Sequence, residues 1–442
     1  MIKLPEQVNK AICLLKNSGF EAYAVGGAVR DCLLGKVPFD WDITTSARPE
    51  ETEKVFCGER IIETGIKHGT VTVIIDGMPL EITTYRIDGD YTDHRHPQTV
   101  SFSDNLRDDL SRRDFTINTL CCNCDDKIID AFGGKDDLNN KIIRCVGDPD
   151  TRFSEDALRI MRAVRFSAEL GFTIEKSTSD SILKNRQLLS DVSKERLQVE
   201  FTKLITGKYA TDVIRKYHAV IEVFIPELAP LAECEQHTKY HKYDVFEHTL
   251  HAVDAIDFTD RILRLTMFFH DFGKPDAKTT DENGTSHFKG HAVISEKKTR
   301  DILKRLKFDN NTINEVSKLV LIHDMKSPRD KIQAKKMMCS LGDEAYLNLI
   351  KIKRADNMAK ADPHAIDEKL KNMRLFYEEI KINNECYNLK SLAANGDDIK
   401  AFGIAEGKEI KSSLDFLLNG VIEGKCQNRK DVLLEYLKEN TK

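Results

Sequence analysis

Asp40-Trp41-Asp42 follows the turn Gly26-Gly27-Ala28-Val29-Arg30-Asp31 by nine residues, and the two segments together suit phosphate chemistry. In an extended Asp-x-Asp the period-two alternation sends both carboxylates to one face, where hard oxygen donors can hold Mg²⁺ against substrate phosphates. The chemistry to expect is nucleotidyl transfer, with two Mg²⁺ ions spanning an incoming triphosphate and an attacking 3′-hydroxyl. Gly26 and Gly27 let backbone N–H groups come close to those phosphates, and Arg30 adds a planar cationic fork. Glu81 is a candidate third catalytic carboxylate; the competing reading is a surface strand residue beside Thr83. Asp-x-Asp alone is most often a polar strand end and Gly-Gly a turn, so the expectation rests on their order and spacing.

Downstream, Arg112-Arg113-Asp114-Phe115-Thr116-Ile117-Asn118 offers two guanidiniums suited to a triphosphate, with Asp114 and Asn118 as hydrogen-bonding partners for a ribose hydroxyl. Residues Glu155 to Phe166 are expected to form one helix capped by Ser154, which makes Asp156 and Arg159 i, i+3 neighbours on one face. The bland reading is an acidic first turn with an exposed ion pair worth under about 1 kcal/mol. The sharper reading is base selection. An Asp acceptor beside an Arg donor matches the edge shared by cytosine and adenine, an exocyclic amino donor next to a ring-nitrogen acceptor. Uracil and guanine present the reverse, with discrimination of roughly 1 to 3 kcal/mol per contact. Arg162 and Arg165, farther along the same run, join the nucleotide-binding group.

These residues need a scaffold. Residues 1–145 mix helix and strand signals: a helix from Gln7 to Ser18, a strand at Ala22–Val25, a helix from Val29 to Leu34, and β-rich runs on both sides of Asp76-Gly77, a strong hairpin signal. The fold expected is an α/β head with a small, mainly antiparallel sheet. From about Ser154 helical periodicity takes over, so an all-α remainder follows, divided into a neck (146–235), a helical domain (236–365) and a helical tail (366–442). With 442 residues, 40% hydrophobic and 31% charged, the chain reads as a soluble globular protein of several domains. No apolar run approaches the roughly 20 residues of a membrane span, and no signal-peptide core is visible, which points to the cytoplasm. The eleven cysteines read as reduced thiols, mostly buried, and a net charge of −5 leaves any nucleic-acid contact to local basic patches.

GGAVRD, DWD, RRDFTIN and EDALRIMRAVRF stand in the order and spacing seen in class II, bacterial-type tRNA nucleotidyltransferases, and the chain resembles that CCA-adding family over nearly its whole length. The resemblance implies a polymerase-β-like head whose Asp40 and Asp42 bind Mg²⁺, and a neck whose Asp156 and Arg159 pair with the incoming base. It also implies addition of C, C and A to the tRNA 3′ end from CTP and ATP. Bacterial poly(A) polymerases share such a head. Here Glu63-Thr64-Gly65-Ile66-Lys67-His68-Gly69-Thr70-Val71 resembles the His-Gly-Thr signature of the CCA enzymes, and Tyr91-Thr92-Asp93-His94-Arg95-His96-Pro97 resembles the flexible loop that CC-only enzymes lack. A-only addition and poly(A) synthesis stay as alternatives.

In the helical half His270-Asp271 has companions at His248, His291, His323 and Asp356, a pattern similar to the HD superfamily of metal-dependent phosphohydrolases. Such a set could hold one or two divalent transition metals and activate water for phosphoester hydrolysis. His287 or Asp324 could replace the distal ligands, and the competing reading is a scaffold that has lost its metal chemistry. A protein of another class, an HD phosphohydrolase with an RNA-binding head, is the remaining alternative. In the tail, a turn at Gly407 with Lys408, Lys411, Lys425, Arg429 and Lys430 could meet tRNA phosphates, against a reading of capped helices with solvated lysines. Oligomeric state is not legible.

Overall fold

The computed structural model describes residues 2–63, 65–66, 69–89, 99–125, 127–238, 240, 242–404 and 407–440. His68 and the segment 91–97, on which the distinction from poly(A) and CC-only enzymes rests, lie outside them. The chain divides into two compact units, Met1–Ala229 and Pro230–Lys442.

In the first unit, β1 (Ala22–Val25), β2 (Asp42–Thr45), β3 (Arg60–Ile62), β4 (Thr70–Ile75), β5 (Met78–Thr84), and, after a separate ribbon of β6 (Arg86–Asp88) and β7 (Val100–Phe102), β8 (Cys121–Cys122) and β9 (Ile128–Ile129) build the domain. The seven-stranded sheet runs β3-β4-β5-β2-β1-β8-β9, antiparallel except for the β2–β5 pair. Asp76 (φ 48°) and Gly77 (φ 82°) both take the left-handed conformation that a two-residue hairpin turn demands, which sets Ile75 opposite Met78. That register fixes the faces: Val71, Val73 and Ile75 of β4 and Leu80 and Ile82 of β5 are buried, leaving Glu81 on the other side. The helix Glu6–Asn17 covers the sheet side with Val8, Ala11, Ile12 and Leu15, one stripe at helical spacing.

The run from Ser154 to Phe166 is not one helix. A helix Pro149–Glu155, capped by the Asp148 side chain on the Thr151 amide, ends before Asp156, whose backbone is extended (φ −134°, ψ 100°); a second helix spans Leu158–Leu170. Neither helix starts at Ser154, which lies in the last turn of the first and donates its hydroxyl to Thr151 O. The cause of the break is local competition: Asp156 Oδ1 accepts the Leu158 amide, giving the backbone a partner other than the helical ladder. Helices Lys176–Asn185, Lys194–Ile205 and Ala210–Ile221 follow, and shorter helices Gly27–Leu33, Pro49–Val55, Leu106–Ser111 and Gly134–Asn139 lie between the strands of the head and after them.

Among its described residues the second unit is helical apart from loops and a ribbon pairing Thr279–Thr280 with Ser286–His287. Its helices Val245–Asp254, Arg261–Phe269, Asn310–Ile322 and Lys331–Leu341 each start on an aspartate, Asp244, Asp260, Asp309 and Asp330, that accepts a first-turn amide. His291–Arg305, Asp343–Met358 and Asp367–Ile382 pack with them, and Lys408–Ile422 and Lys430–Asn440 close over a smaller cluster around Ile399, Leu417 and Leu433. No described helix is long and apolar enough to cross a membrane. None of the eleven cysteines is paired, but only five are buried, fewer than expected.

Candidate active site and metal centre

Parallel pairing of β2 with β5 puts Asp42 directly beside Glu81, and antiparallel pairing with β1 puts it beside Val25, the residue before Gly26. Neighbours in register share a face, so the sheet gathers Asp42 and Glu81 next to the glycine turn. Asp42 is open to solvent on one side and crowded by protein on the others. Its carboxyl titrates above its ordinary range because protein displaces water from it, an effect offset by Arg113 and reinforced by Glu81 and Asp40. Three carboxylates therefore share one field, a hard-oxygen donor set that fits Mg²⁺.

Gly26 sits at φ 82°, and a Cβ there would lie 3.3 Å from Arg113 Nη1 and 3.8 Å from Asp42 Oδ2. The glycine thus makes room for the arginine that faces Asp42. Its amide points to Leu120 O at 3.3 Å rather than to an open cradle, which corrects that part of the expectation. Arg30 is also not a free fork. Buried, it donates to Asp31 Oδ1 through Nε (2.9 Å), approaches that oxygen with Nη2 (2.8 Å), donates to Asn118 Oδ1 through Nη1 (2.8 Å), and lies over the Phe166 ring.

Arg112 and Arg113 are anchored by a residue that sequence reasoning missed. Asp109, fully buried, accepts from Arg112 Nε and Nη2 (2.9 and 2.6 Å), from Arg113 Nη2 (3.3 Å) and from Thr44 Oγ1 (2.9 Å). Burial alone would raise its pKa; Arg113 and Arg112 overcome that and hold it below the usual carboxylate range. The i, i+3 and i, i+4 spacing in Asp109…Arg112-Arg113 was the available signal. Asp114 and Asn118 are committed to each other and to the neck rather than standing ready for a ribose. Asp114 Oδ1 accepts from the Phe115 amide and Asn118 Nδ2, and Oδ2 from Arg162 Nε (2.8 Å) with Arg162 Nη2 at 2.6 Å.

Asp156 and Arg159 come together at the head of the second neck helix, but they do not pair. Arg159 Nη1 donates to Glu155 Oε2 (2.7 Å) and Arg152 O (3.1 Å), and Nη2 to Arg112 O (2.8 Å). Asp156 pairs instead with Arg196, 40 residues on, whose Nη2 lies 3.2 and 3.0 Å from its two oxygens. No local pattern could have disclosed that partner. Arg165, grouped with the nucleotide ligands from sequence, is buried and bonds Glu200 Oε2 (2.6 Å) and Glu169 Oε2 (2.7 Å), so it braces the neck helix against Lys194–Ile205.

In the second unit the structure gathers His248, His270, Asp271, His291, His323 and Asp356. Asp271 Oδ2 lies 3.3 Å from His248 Nε2 and 3.1 Å from His270 Nε2; Oδ1 lies 3.3 Å from His291 Nε2 and 3.7 Å from His323 Nε2. Asp356 Oδ1 reaches His248 Nε2 at 3.0 Å. Every Nδ1 is committed to a backbone carbonyl: His248 to Ala359 O, His270 to Met267 O, His291 to Phe288 O and His323 to Val320 O. A carbonyl only accepts, so each Nδ1 carries the proton and each Nε2 lone pair points inward. Both Asp271 oxygens are buried without a hydrogen bond; Lys274 Nζ, 2.7 Å from Oδ2, is an ion pair outside hydrogen-bonding geometry. Burial and the neighbouring His270 push His323 down to about 3, leaving it a neutral ligand. Two overlapping groups, His248-His270-Asp271 and Asp271-His291-His323, share Asp271, and their imidazole-rich donor sets would suit divalent transition metal. His287 is excluded from the cluster: exposed, it pairs with Asp281. Asp324 lines an adjoining cavity of about 440 Å³ together with Lys326, Arg329, Lys353, Lys360 and Lys369.

Residues 22–144 match the family model of the poly A polymerase head domain, 171–231 that of the RNA and SrmB-binding site of polymerase A, and 279–437 that of tRNA nucleotidyltransferase domain 2. The chain is 33% identical over 439 residues to the CCA-adding enzyme of Geobacillus kaustophilus (strain HTA426), covering 99% of this chain and 97% of that protein. It is 33% identical over 426 residues to the CCA-adding enzyme of Bacillus subtilis (strain 168), with 96% of each covered. Its fold matches the crystal structure of the Bacillus stearothermophilus CCA-adding enzyme in complex with CTP at a TM-score of 0.72 and 30% identity, over 98% of this chain and 96% of that one. Identity at this level, sustained from end to end, means that the chain belongs to the family of CCA-adding enzymes.

Proposed function

We propose that the chain completes tRNA by adding C, C and A to its 3′ end from CTP and ATP, with Asp40, Asp42 and Glu81 holding Mg²⁺ and Asp156 and Arg159 reading the incoming base. The observation that carries this reading is the register setting Asp42 beside Glu81, within the field of Asp40 and opposite Arg113. When bound, Mg²⁺ supplies Lewis-acid stabilisation of the charge on the transferring phosphate. Arg113, whose buried Nε has no hydrogen-bond partner, offers the triphosphate a guanidinium fixed by Asp109. Arg112 shares that anchor. An ionised carboxylate only accepts and a guanidinium only donates, so Asp156 and Arg159 satisfy the amino and ring-nitrogen edge of cytosine and adenine and leave uracil and guanine mismatched. Residues 1–145 act as head, 146–235 as neck, 236–365 as the HD-type domain and 366–442 as a tRNA-contacting tail. A cytoplasmic setting belongs to the same reading, supported by eleven unpaired cysteines.

The test is incubation of tRNA lacking its last three residues with each labelled nucleotide, singly and together. Two CMP and one AMP residues should be incorporated in order, with UTP and GTP refused. Incorporation of ATP alone, or in long tracts, would replace the proposal by A-only addition or poly(A) synthesis; no incorporation would overturn the transferase reading.

A second reading is favoured by the four inward Nε2 atoms around Asp271: the second unit binds divalent transition metal and hydrolyses phosphoesters. Such metal supplies activation of water when bound. The chain's own contribution is the fixed tautomer of each histidine and a cavity wall rich in lysine and arginine, which suits a phosphorylated substrate.

A further inference from the structure

A template made of an aspartate and an arginine three residues apart has a built-in weakness. The two charges that must each meet a nucleobase are opposite, close, and free to neutralise one another. If they pair, the acceptor and the donor are both consumed and no edge is left to read. In this chain the weakness is countered from both sides. Glu155 and the carbonyls of Arg152 and Arg112 take three of the five N–H groups of Arg159, leaving Nε and one proton of Nη2. Asp156 is claimed by Arg196 from the helix Lys194–Ile205, and its Oδ1 also accepts the Leu158 amide at 3.2 Å.

We propose that Arg196 is a positioning residue for base selection: its guanidinium holds the Asp156 carboxylate apart from Arg159 and turns it to meet the amino group of cytosine or adenine. The proposal rests on the reading of Asp156 and Arg159 as the base-selecting pair. Arg196 is suited to the task because a single nitrogen, Nη2, bridges both oxygens, which fixes the carboxylate plane yet leaves each oxygen with unused lone pairs. Oδ1 already has two donors and Oδ2 only Arg196, so Oδ2 is the oxygen assigned to the base. Without Arg196 the neck helix itself offers Asp156 two cations, Arg159 three residues on and Arg162, which already feels the field of Asp156. Capture by either would quench the template from within. Arg196 lies outside the carboxylate cluster and the arginine pair facing the phosphates, so its removal leaves the transfer chemistry in place.

Arg196→Gln, Arg196→Lys and Asp156→Ala are compared with the unaltered protein, using tRNA ending in CC for ATP against GTP and tRNA lacking CCA for CTP against UTP. In Arg196→Gln the kcat/KM for CTP and ATP should fall about tenfold to a hundredfold, the range for one lost base-edge contact, mainly through KM. Incorporation of UTP and GTP should stay at its low level, so the discrimination ratio narrows. Arg196→Lys, which keeps a cation, should recover part of the ratio. Thermal unfolding is followed in parallel, because a merely structural role lowers stability and slows all four nucleotides alike. An unchanged ratio in Arg196→Gln with a narrowed one in Asp156→Ala overturns the proposal and leaves the base-selecting reading intact. An unchanged ratio in Asp156→Ala overturns both.

Discussion

At Asp114 both carboxylate oxygens are occupied, Oδ1 by the Phe115 amide and Asn118 and Oδ2 by Arg162, and this arrangement has a titration signature. Burial alone would raise the group; Arg162 and Asn118 outweigh it and bring the pKa down to about 2. The folded value lies below the unfolded one, so ionised Asp114 stabilises the native state above about pH 4, and that contribution fades as pH falls toward 2. A shift of this size corresponds to on the order of 2 kcal/mol. Asp114→Asn should therefore lower the urea midpoint near neutral pH, with the deficit shrinking as pH is lowered from 4; a deficit independent of pH would refute the assignment. Single residues differ in how far sequence discloses them. Asp40 and Asp42 are visible because their spacing is itself the chemistry. Asp109 was within reach through its helical spacing to Arg112 and Arg113, whereas the Asp156–Arg196 pair joins residues 40 apart that only the packed neck brings together.

Elements were legible where a local rule fixes them. Asp76-Gly77 announces a hairpin because few residues tolerate positive φ. Glu81 stayed undecided since alternation names two faces without saying which is the site; that needed the parallel β2–β5 pairing across a crossover. The break before the neck helix was missed because helical periodicity runs through Asp156 while its side chain bonds the Leu158 amide. The turn after β1 allows a paired test of what the element does. Gly26 has φ 82° and ψ −138°, so alanine there costs on the order of 1–3 kcal/mol of backbone strain and brings a methyl to 3.3 Å from Arg113 Nη1. Gly27 starts a helix, and a methyl would meet Arg30 Nη2 at an ordinary 3.6 Å. Gly26→Ala should cut kcat by about tenfold or more, the effect of misplacing a fixed electrostatic partner, while Gly27→Ala stays near the unaltered rate. Equal activities in the two variants would count against a role for Gly26 in seating Arg113.

At the scale of the whole molecule, two compact units each carry a distinct carboxylate-centred site: oxygen donors at Asp40, Asp42 and Glu81 in one, and imidazoles around Asp271 in the other. On the proposed reading these donors would select different metals, since carboxylates suit Mg²⁺ while imidazoles favour transition ions. Asp271 faces His248 and His270 with Oδ2 and His291 and His323 with Oδ1, so it is the shared member of both ligand groups. The stoichiometry of metal loss should follow. After reconstitution with Mn²⁺ or Ni²⁺ and removal of free ion, Asp271→Ala should retain no bound transition metal, whereas His291→Ala, which damages only the Oδ1 group, should retain about half the unaltered content. His270→Ala should damage the Oδ2 group alone and abolish phosphodiester hydrolysis while CCA addition continues. Asp42→Ala should do the converse, losing incorporation by on the order of a thousandfold with its transition-metal content intact. Bound metal that survives Asp271→Ala unchanged would mean that Asp271 is not the shared ligand, and no bound metal in the unaltered protein would mean that the four imidazoles hold their arrangement as a buried scaffold alone. A fall in nucleotide addition on loss of that metal would mean that the two sites do not act independently.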